Sequence, residues 1–169
     1  MKIIEAMKKI KDLMKKVEDL SQKAGNHCAD LDMETPLYPD QKRQVSEWMQ
    51  SIEDTLQEIA RLKCGIQKTN ITVPVTILLG DKQVTKVIAE WIHRRRDLAK
   101  LAQAAWSKLG DRSLREGNIQ QSNGTPMIVK IRRYYDPVER DNKVALYRDE
   151  PSIIDANLEI VNAVTEVIF

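Results

Sequence analysis

The segment from Val84 to Leu109 constrains the fold more than any other part of this sequence of 169 residues. It contains neither proline nor glycine, and Gly110 follows it directly. Its apolar residues recur in steps of three and four with a single gap, which predicts one long helix with a buried face. The residues of this stripe are Val84, Ile88, Trp91, Leu98, Ala102, Ala105 and Leu109.

The gap in the stripe is filled by Arg95, which the helical spacing places among the buried positions. A guanidinium on an apolar seam needs a fixed partner, and such polar groups commonly set the register or the number of subunits in an assembly. The two flanking arginines fall on the solvated face. Asn70 has a comparable seam position near the end of the preceding helix. We therefore predict a site for assembly and register that consists of Arg95, Asp97, Asn70 and Trp91.

Two helices are predicted before this segment. In residues 2 to 24 apolar side chains repeat every 3.5 positions over three heptads, which is the pattern of a coiled-coil seam. Gly25-Asn26 is expected to end this helix. Residues 41 to 69 carry a similar seam, in which Gly65 costs a helix about 1 kcal/mol relative to alanine. Together the two helices predict an antiparallel hairpin on which the third helix packs.

Two connecting segments surround the third helix. Residues 72 to 79 are β-branched and apolar, and Pro74 excludes a helix there, so we predict an extended connector. Asp81 is expected to cap the third helix. Residues 110 to 126 are polar and contain three glycines, which predicts a loop.

The C-terminal part predicts a β-hairpin over 127–148 and a final helix over 151–167, in which Pro151 suits the first turn. The fold class is therefore mainly α: a long antiparallel helical bundle or coiled-coil hairpin with a small β-hairpin before the C-terminal helix. We expect one domain over 1–169, in which 1–109 form a three-helix bundle.

Composition narrows the class of protein. Hydrophobic residues make up 42% of the chain and charged residues 31%, which is typical of a folded helical protein and not of a disordered one. The net charge of +2 does not by itself require a nucleic acid or a membrane surface. The N-terminus resembles no signal peptide, and no apolar run has the ~20 residues of a membrane span. We expect the cytoplasm, or a particle assembled there.

The order of these parts resembles a family of bacterial and phage helical proteins that is labelled septicolysin-like. The resemblance rests on the lysine-rich first helix, on Thr69-Asn70 closing the second helix, and on the Arg-Arg-Asp-Leu run of 95–98 in the third. A strand leading into a C-terminal helix completes it. Residues 127–148 depart from the pattern, because a full hairpin is predicted there instead of one short strand. The label implies a membrane-active protein, but no activity is carried over on these residues.

The cysteines and histidines do not predict a metal site. His27, Cys28, Cys64 and His93 have no spacing known from short zinc motifs, and the adjacent His27 and Cys28 cannot easily both bind one ion. We expect no metal and no cofactor, with a buried thiol at Cys64 and a surface position for His93.

The predicted hairpin mixes basic and aromatic residues, which can bind a single strand by charge and stacking. The candidate nucleic-acid contacts are Arg132, Arg133, Tyr134 and Tyr135. A ribbon whose tyrosines pack on the helices explains the same residues, and nearby acidic groups weaken the positive field. Nucleic acid is therefore a candidate partner, not the expected one.

Phosphate loops, dinucleotide fingerprints and nucleophile elbows are absent, so we expect a protein without enzymatic activity. The predicted function is structural: a helical homo-oligomer in which apolar seams of neighbouring subunits cover one another. Alternatives are a structural subunit of a phage particle or other large assembly, a nucleic-acid-binding protein, and a septicolysin-like protein that acts on membranes through its first helix.

Overall fold

The computed structural model describes residues 1–169 and is built mainly of helices. The helices are α1 (Ile3–His27), α2 (Gln41–Thr72), α3 (Ile88–His93), α4 (Ala99–Ser107) and α5 (Pro137–Val164), and a π-helical segment (Arg94–Leu98) joins α3 to α4. The strands are β1 (Pro74–Leu79), β2 (Lys82–Val87), β3 (Gly117–Gln120) and β4 (Pro126–Val129), which pair as β1–β2 and β3–β4. The predicted class, mainly α with a small β-hairpin before the C-terminal helix, is confirmed. None of the helices has the length and apolar character needed to cross a membrane.

The chain divides into two compact units, and the first of them is discontinuous in sequence. Unit 1 consists of Met1–Val75, Val87–Ala89 and Leu158–Phe169. Unit 2 consists of Thr76–Lys86 and Glu90–Asn157. The division into one domain over 1–169, with parts 1–109, 127–148 and 151–167, stays a prediction.

Within unit 1, α1 and α2 form the predicted antiparallel hairpin. Lys9 contacts Glu58 near one end, and the Gln41 side chain donates to the carbonyl of His27 near the other. Apolar residues of both helices are buried: Ile3, Ala6, Ile10 and Ala24 of α1, and Ile52, Ile59 and Leu62 of α2. The heptad spacing therefore identified both helices. However, α1 runs through Gly25-Asn26 to His27, so the predicted stop at that pair is wrong.

Glu58 links the two helices on one side of the hairpin. Its carboxylate accepts from Arg61 at 2.8 Å and from Lys9 at 2.8 Å. These two hydrogen bonds, that of Arg61 first, lower the pKa of Glu58 from 4.5 to about 2.

This lowered pKa predicts how stability depends on acid. Because the pKa of Glu58 in the folded state lies below the ordinary 4.5, its contribution to stability is fully present above pH 4.5 and is lost as the pH falls towards 2. We expect Glu58→Gln to melt below the wild type at neutral pH, and the difference to vanish across that acid range. Glu159→Gln, at an exposed helical position without an ion pair, is the control. A difference in melting temperature between Glu58→Gln and the wild type that persists in full at pH 2 would contradict the lowered pKa of Glu58.

The segment that follows α5 packs on α2 and on the beginning of the chain. The amide of Ile3 donates to the carbonyl of Thr165, and the amide of Val167 donates to that of Met1. Buried Thr69 accepts from the amide of Ile168 at 2.8 Å. A Cβ added at Gly65 would lie 2.8 Å from Val167 and 3.0 Å from Phe169. Gly65 is therefore needed for this close contact.

The region between α2 and the third helix is a β-hairpin and not a single connector. β1 and β2 are joined by Gly80 and Asp81, and Gly80 has a φ of +59°, which glycine adopts without strain. Residues 84–87 belong to β2, so the third helix begins at Ile88 and not at Val84. Asp81 lies in the turn of the hairpin and does not cap that helix.

The second hairpin lies earlier in the chain than predicted. β3 pairs with β4 in an antiparallel register from Gly117–Val129 to Gln120–Pro126. Residues 137–148, predicted as part of the hairpin, are the first turns of α5. The Asp136 carboxylate accepts from the amide of Val138 at 2.8 Å, so an Asp-Pro pair begins this helix. Pro151 lies inside the helix and does not start it.

Candidate functional site

The π-helical segment of unit 2 holds a buried ion pair. Its wide turn aligns Arg94 with Glu150 of α5, whose side chain is completely buried. Arg94 donates through Nε and Nη2 to the two carboxylate oxygens, the second bond being 2.9 Å. The guanidinium also lies 5.5 Å from the centre of the Tyr147 ring. The hydrogen bond to Glu150, ahead of all other causes, raises the pKa of Arg94.

Arg95 is a surface residue, so its predicted place in a buried seam is wrong. Its side chain is 41% exposed and pairs with Asp155 of α5 at 2.5 Å, where Asp155 is 56% exposed. The π turn explains the error, because it adds a residue to the turn and the 3.6-residue spacing does not continue through it. Arg94, predicted to face solvent, is the arginine that contacts a buried partner.

The other residues of the predicted assembly site differ in burial and belong to two units. Trp91 is fully buried, Asp97 is exposed, and Asn70 is half-buried in the other unit. A role of Arg95, Asp97, Asn70 and Trp91 in assembly stays a prediction.

The four candidate nucleic-acid contacts lie in the segment between β4 and α5, and none lies on a strand. Arg133 binds Asp111 through two hydrogen bonds of 2.7 and 2.5 Å, and the Tyr135 hydroxyl donates to the same carboxylate at 3.1 Å. The bond from Arg133 is the main cause that lowers the pKa of Asp111. Arg133 is therefore neutralised, whereas Arg132 has no ion pair; Arg132, Arg133 and Tyr134 are all exposed.

An aromatic cluster closes the α1–α2 hairpin at its loop. The rings of His27, Tyr38 and Trp48 lie 5.5 to 5.9 Å apart, centre to centre. Their spacing along the chain shows no periodic signal, so the sequence did not reveal the cluster. Cys28 and Cys64 are both exposed, and the prediction of a buried thiol at Cys64 is wrong.

One side of the α1–α2 hairpin exposes a continuous apolar surface, which we call the apolar flank: Met7, Met14, Met49 and Leu56. These side chains are 45%, 53%, 47% and 49% exposed. On a helical wheel Met7 and Met14 lie along one edge of the buried face of α1, and Met49 and Leu56 lie along one edge of the buried face of α2. Because the helices are antiparallel, the two edges are on the same side of the hairpin, opposite the Lys9–Glu58 pair.

No family of known proteins matches this chain, and no curated protein matches it in sequence. A solved structure with a similar fold is that of a functionally unknown conserved protein from Corynebacterium diphtheriae. It is 18% identical, with a TM-score of 0.55, over 99% of this chain and 98% of that one. This similarity shows that the arrangement of helices and hairpins occurs in another protein along almost its whole length. It is a similarity of fold alone.

Proposed function

We propose that this chain is a structural protein without enzymatic activity that assembles with copies of itself through the apolar flank. The observation that carries the proposal is the exposure of Met7, Met14, Met49 and Leu56 side by side on two long helices. Single exposed apolar residues are ordinary, but a contiguous stripe along a helical hairpin is typical of a surface that another helix covers. Flexible methionines suit such a contact because they adapt to a neighbouring surface.

The charges beside the flank favour a second copy as the partner. Lys11 of α1 and Glu53 of α2 both border the apolar side chains, and neither takes part in an ion pair within the chain. If α1 of one subunit lies along α2 of the next, these two side chains meet with opposite charge at the rim. Two hairpins related by a two-fold axis form this contact twice, which gives a four-helix arrangement.

The size of the protein in solution tests this proposal. A monomer has a mass of 19.4 kDa, and light scattering of the wild type at micromolar concentration should give at least twice that mass. Leu56→Glu and Met14→Glu place a charge within the covered surface and should raise the dissociation constant tenfold or more. Leu78→Glu is the matched control, because Leu78 is 58% exposed and belongs to β1 in unit 2, not to the two helices that carry the flank.

A charge exchange tests the arrangement of the two copies. Lys11→Glu and Glu53→Lys should each weaken association by the modest amount of an exposed pair, about 0.2 to 1 kcal/mol, and the double variant should restore it. A wild type that stays at 19.4 kDa, or a Leu56→Glu variant that matches the wild type in mass, would reject the proposal.

A further inference from the structure

Unit 2 contains a pocket that neither assembly nor the apolar flank explains. It has a volume of about 310 Å³ and lies between the segment after α4 and the segment before α5. This volume is at the lower end of the range of about 300 to 1,000 Å³ that ligand pockets occupy. The lining combines three arginines, two tyrosines and three apolar side chains: Arg112, Arg132, Arg133, Tyr134, Tyr135, Leu109, Leu114 and Ile131.

Positive charge predominates at this pocket, although the Glu116 carboxylate accepts from the amide of the lining residue Ile131 at 2.9 Å and interacts with Arg133. Asp111, its one acidic lining residue, is bound by Arg133 and Tyr135, so the carboxylate and the Arg133 guanidinium neutralise each other. Arg112 and Arg132 have no ion pair in the structure and are exposed. The two unpaired guanidinium groups of Arg112 and Arg132 favour an anion beside the neutral Asp111–Arg133 pair. Their planar donor geometry matches the oxygens of a phosphate.

The same pocket offers a surface for a flat ring. Tyr134 is 89% exposed, which is unusual for so large an aromatic residue without a partner. Leu109 and Leu114 supply apolar contacts nearby, and both are partly exposed. An exposed tyrosine beside free arginines can stack on a base while the arginines bind the attached phosphate.

The backbone of the pocket is held in a strained conformation. Arg112 and Ser113 have φ angles of 54° and 63°, in the left-handed region that glycine and asparagine adopt most readily. Two consecutive non-glycine residues in this region are uncommon, and such strain is concentrated at binding sites. The turn presents the Arg112 side chain at the pocket.

We propose that this pocket binds a nucleotide, with Arg112 and Arg132 on the phosphate and Tyr134 against the base. The chemistry required is one phosphate and one planar base, and a free nucleotide or a nucleotide of a single strand supplies both. The proposal does not depend on assembly through the apolar flank.

Calorimetric titration of the full chain tests the proposal with AMP, adenosine, inorganic phosphate and a short single-stranded oligoadenylate. Adenosine and phosphate should each bind at least tenfold more weakly than the nucleotide, because each makes only one of the two contacts. Arg132→Gln and Arg112→Gln should weaken nucleotide binding about tenfold or more, and Tyr134→Leu by a similar factor. Arg96→Gln, at an exposed arginine outside the pocket and without an ion pair, should leave it unchanged.

The outcomes separate the two sources of the nucleotide. Binding of AMP that the pocket variants weaken identifies a free nucleotide, and binding of the oligoadenylate alone with the same sensitivity identifies a single strand. Circular dichroism confirms that these surface variants fold. The proposal is overturned if neither probe binds at millimolar concentration. It is also overturned if the three pocket variants bind as well as Arg96→Gln does.

Discussion

Arg94→Ala should lower the free energy of unfolding by about 3 to 5 kcal/mol, the usual effect of removing one partner of a buried ion pair. The reason is that Glu150 is completely buried and both its carboxylate oxygens accept from Arg94. Without the guanidinium the buried carboxyl group loses both of these hydrogen bonds. Urea denaturation followed by circular dichroism measures the change.

Arg95→Ala is the matched control for this substitution. The two arginines are adjacent, and each pairs with an acidic residue of α5, but the Arg95–Asp155 pair is exposed on both sides. Exposed pairs of this kind contribute about 0 to 1 kcal/mol. If both variants lose the same stability, the difference in burial between Glu150 and Asp155 does not hold in solution.

Gly65→Ala should destabilise the protein, although alanine is the better helix former by about 1 kcal/mol. The added Cβ would lie 2.8 Å from Val167, closer than carbon atoms approach without a shift of one of them. We expect a net loss of about 1 to 3 kcal/mol, as for other overpacked positions, because the tail must move away from α2. Thermal unfolding should show a lower melting temperature.

Gly25→Ala should have the opposite effect on stability from Gly65→Ala. Gly25 lies in α1 with nothing within 4 Å of its added Cβ, so alanine gains helix propensity without a clash. We expect Gly25→Ala to stabilise the protein by up to about 1 kcal/mol. Equal effects of the two substitutions would show that the tail does not pack on Gly65.

The helical hairpin could be predicted from sequence because its signal is long and regular. Heptads placed α1 at 2–24 and α2 at 41–69, and the structure has Ile3–His27 and Gln41–Thr72. The sequence could not show why α2 contains a glycine at position 65, because the reason is its contact with Val167, far along the chain.

The two hairpins were misplaced for different reasons. The Gly80-Asp81 pair between two β-branched runs is a turn signal, but the apolar spacing of the third helix extends across β2 and concealed it. At the start of α5, Asp136-Pro137 is a helix start, yet the alternating residues of 143–148 were interpreted as a strand. Short apolar runs do not distinguish helix from strand.

The arginine with the buried partner could not be identified from periodicity. The rule of 3.6 residues per turn placed Arg95 inside and Arg94 outside, and the π turn reverses them. A single wide turn leaves no mark in the composition, and the acidic partners of Arg94 and Arg95 lie 56 and 60 residues further along the chain. The sequence did not predict a pocket, although all four candidate nucleic-acid contacts line it, because the role of Asp111 depends on tertiary structure.

The discontinuity of unit 1 has a consequence for synthesis on the ribosome. α1 and α2 emerge early, but residues 158–169, which complete their unit, follow after the segment from 76 to 157. At the usual 5 to 20 residues per second, translation of this segment of some 80 residues takes roughly 4 to 16 s. During that interval the contact of Val167 and Phe169 with Gly65 is absent, and the hydrogen bond from Lys2 to Val164, across 162 residues, cannot form. The nascent hairpin therefore exposes the part of α2 around Gly65 until the C-terminal residues that cover it have been synthesised.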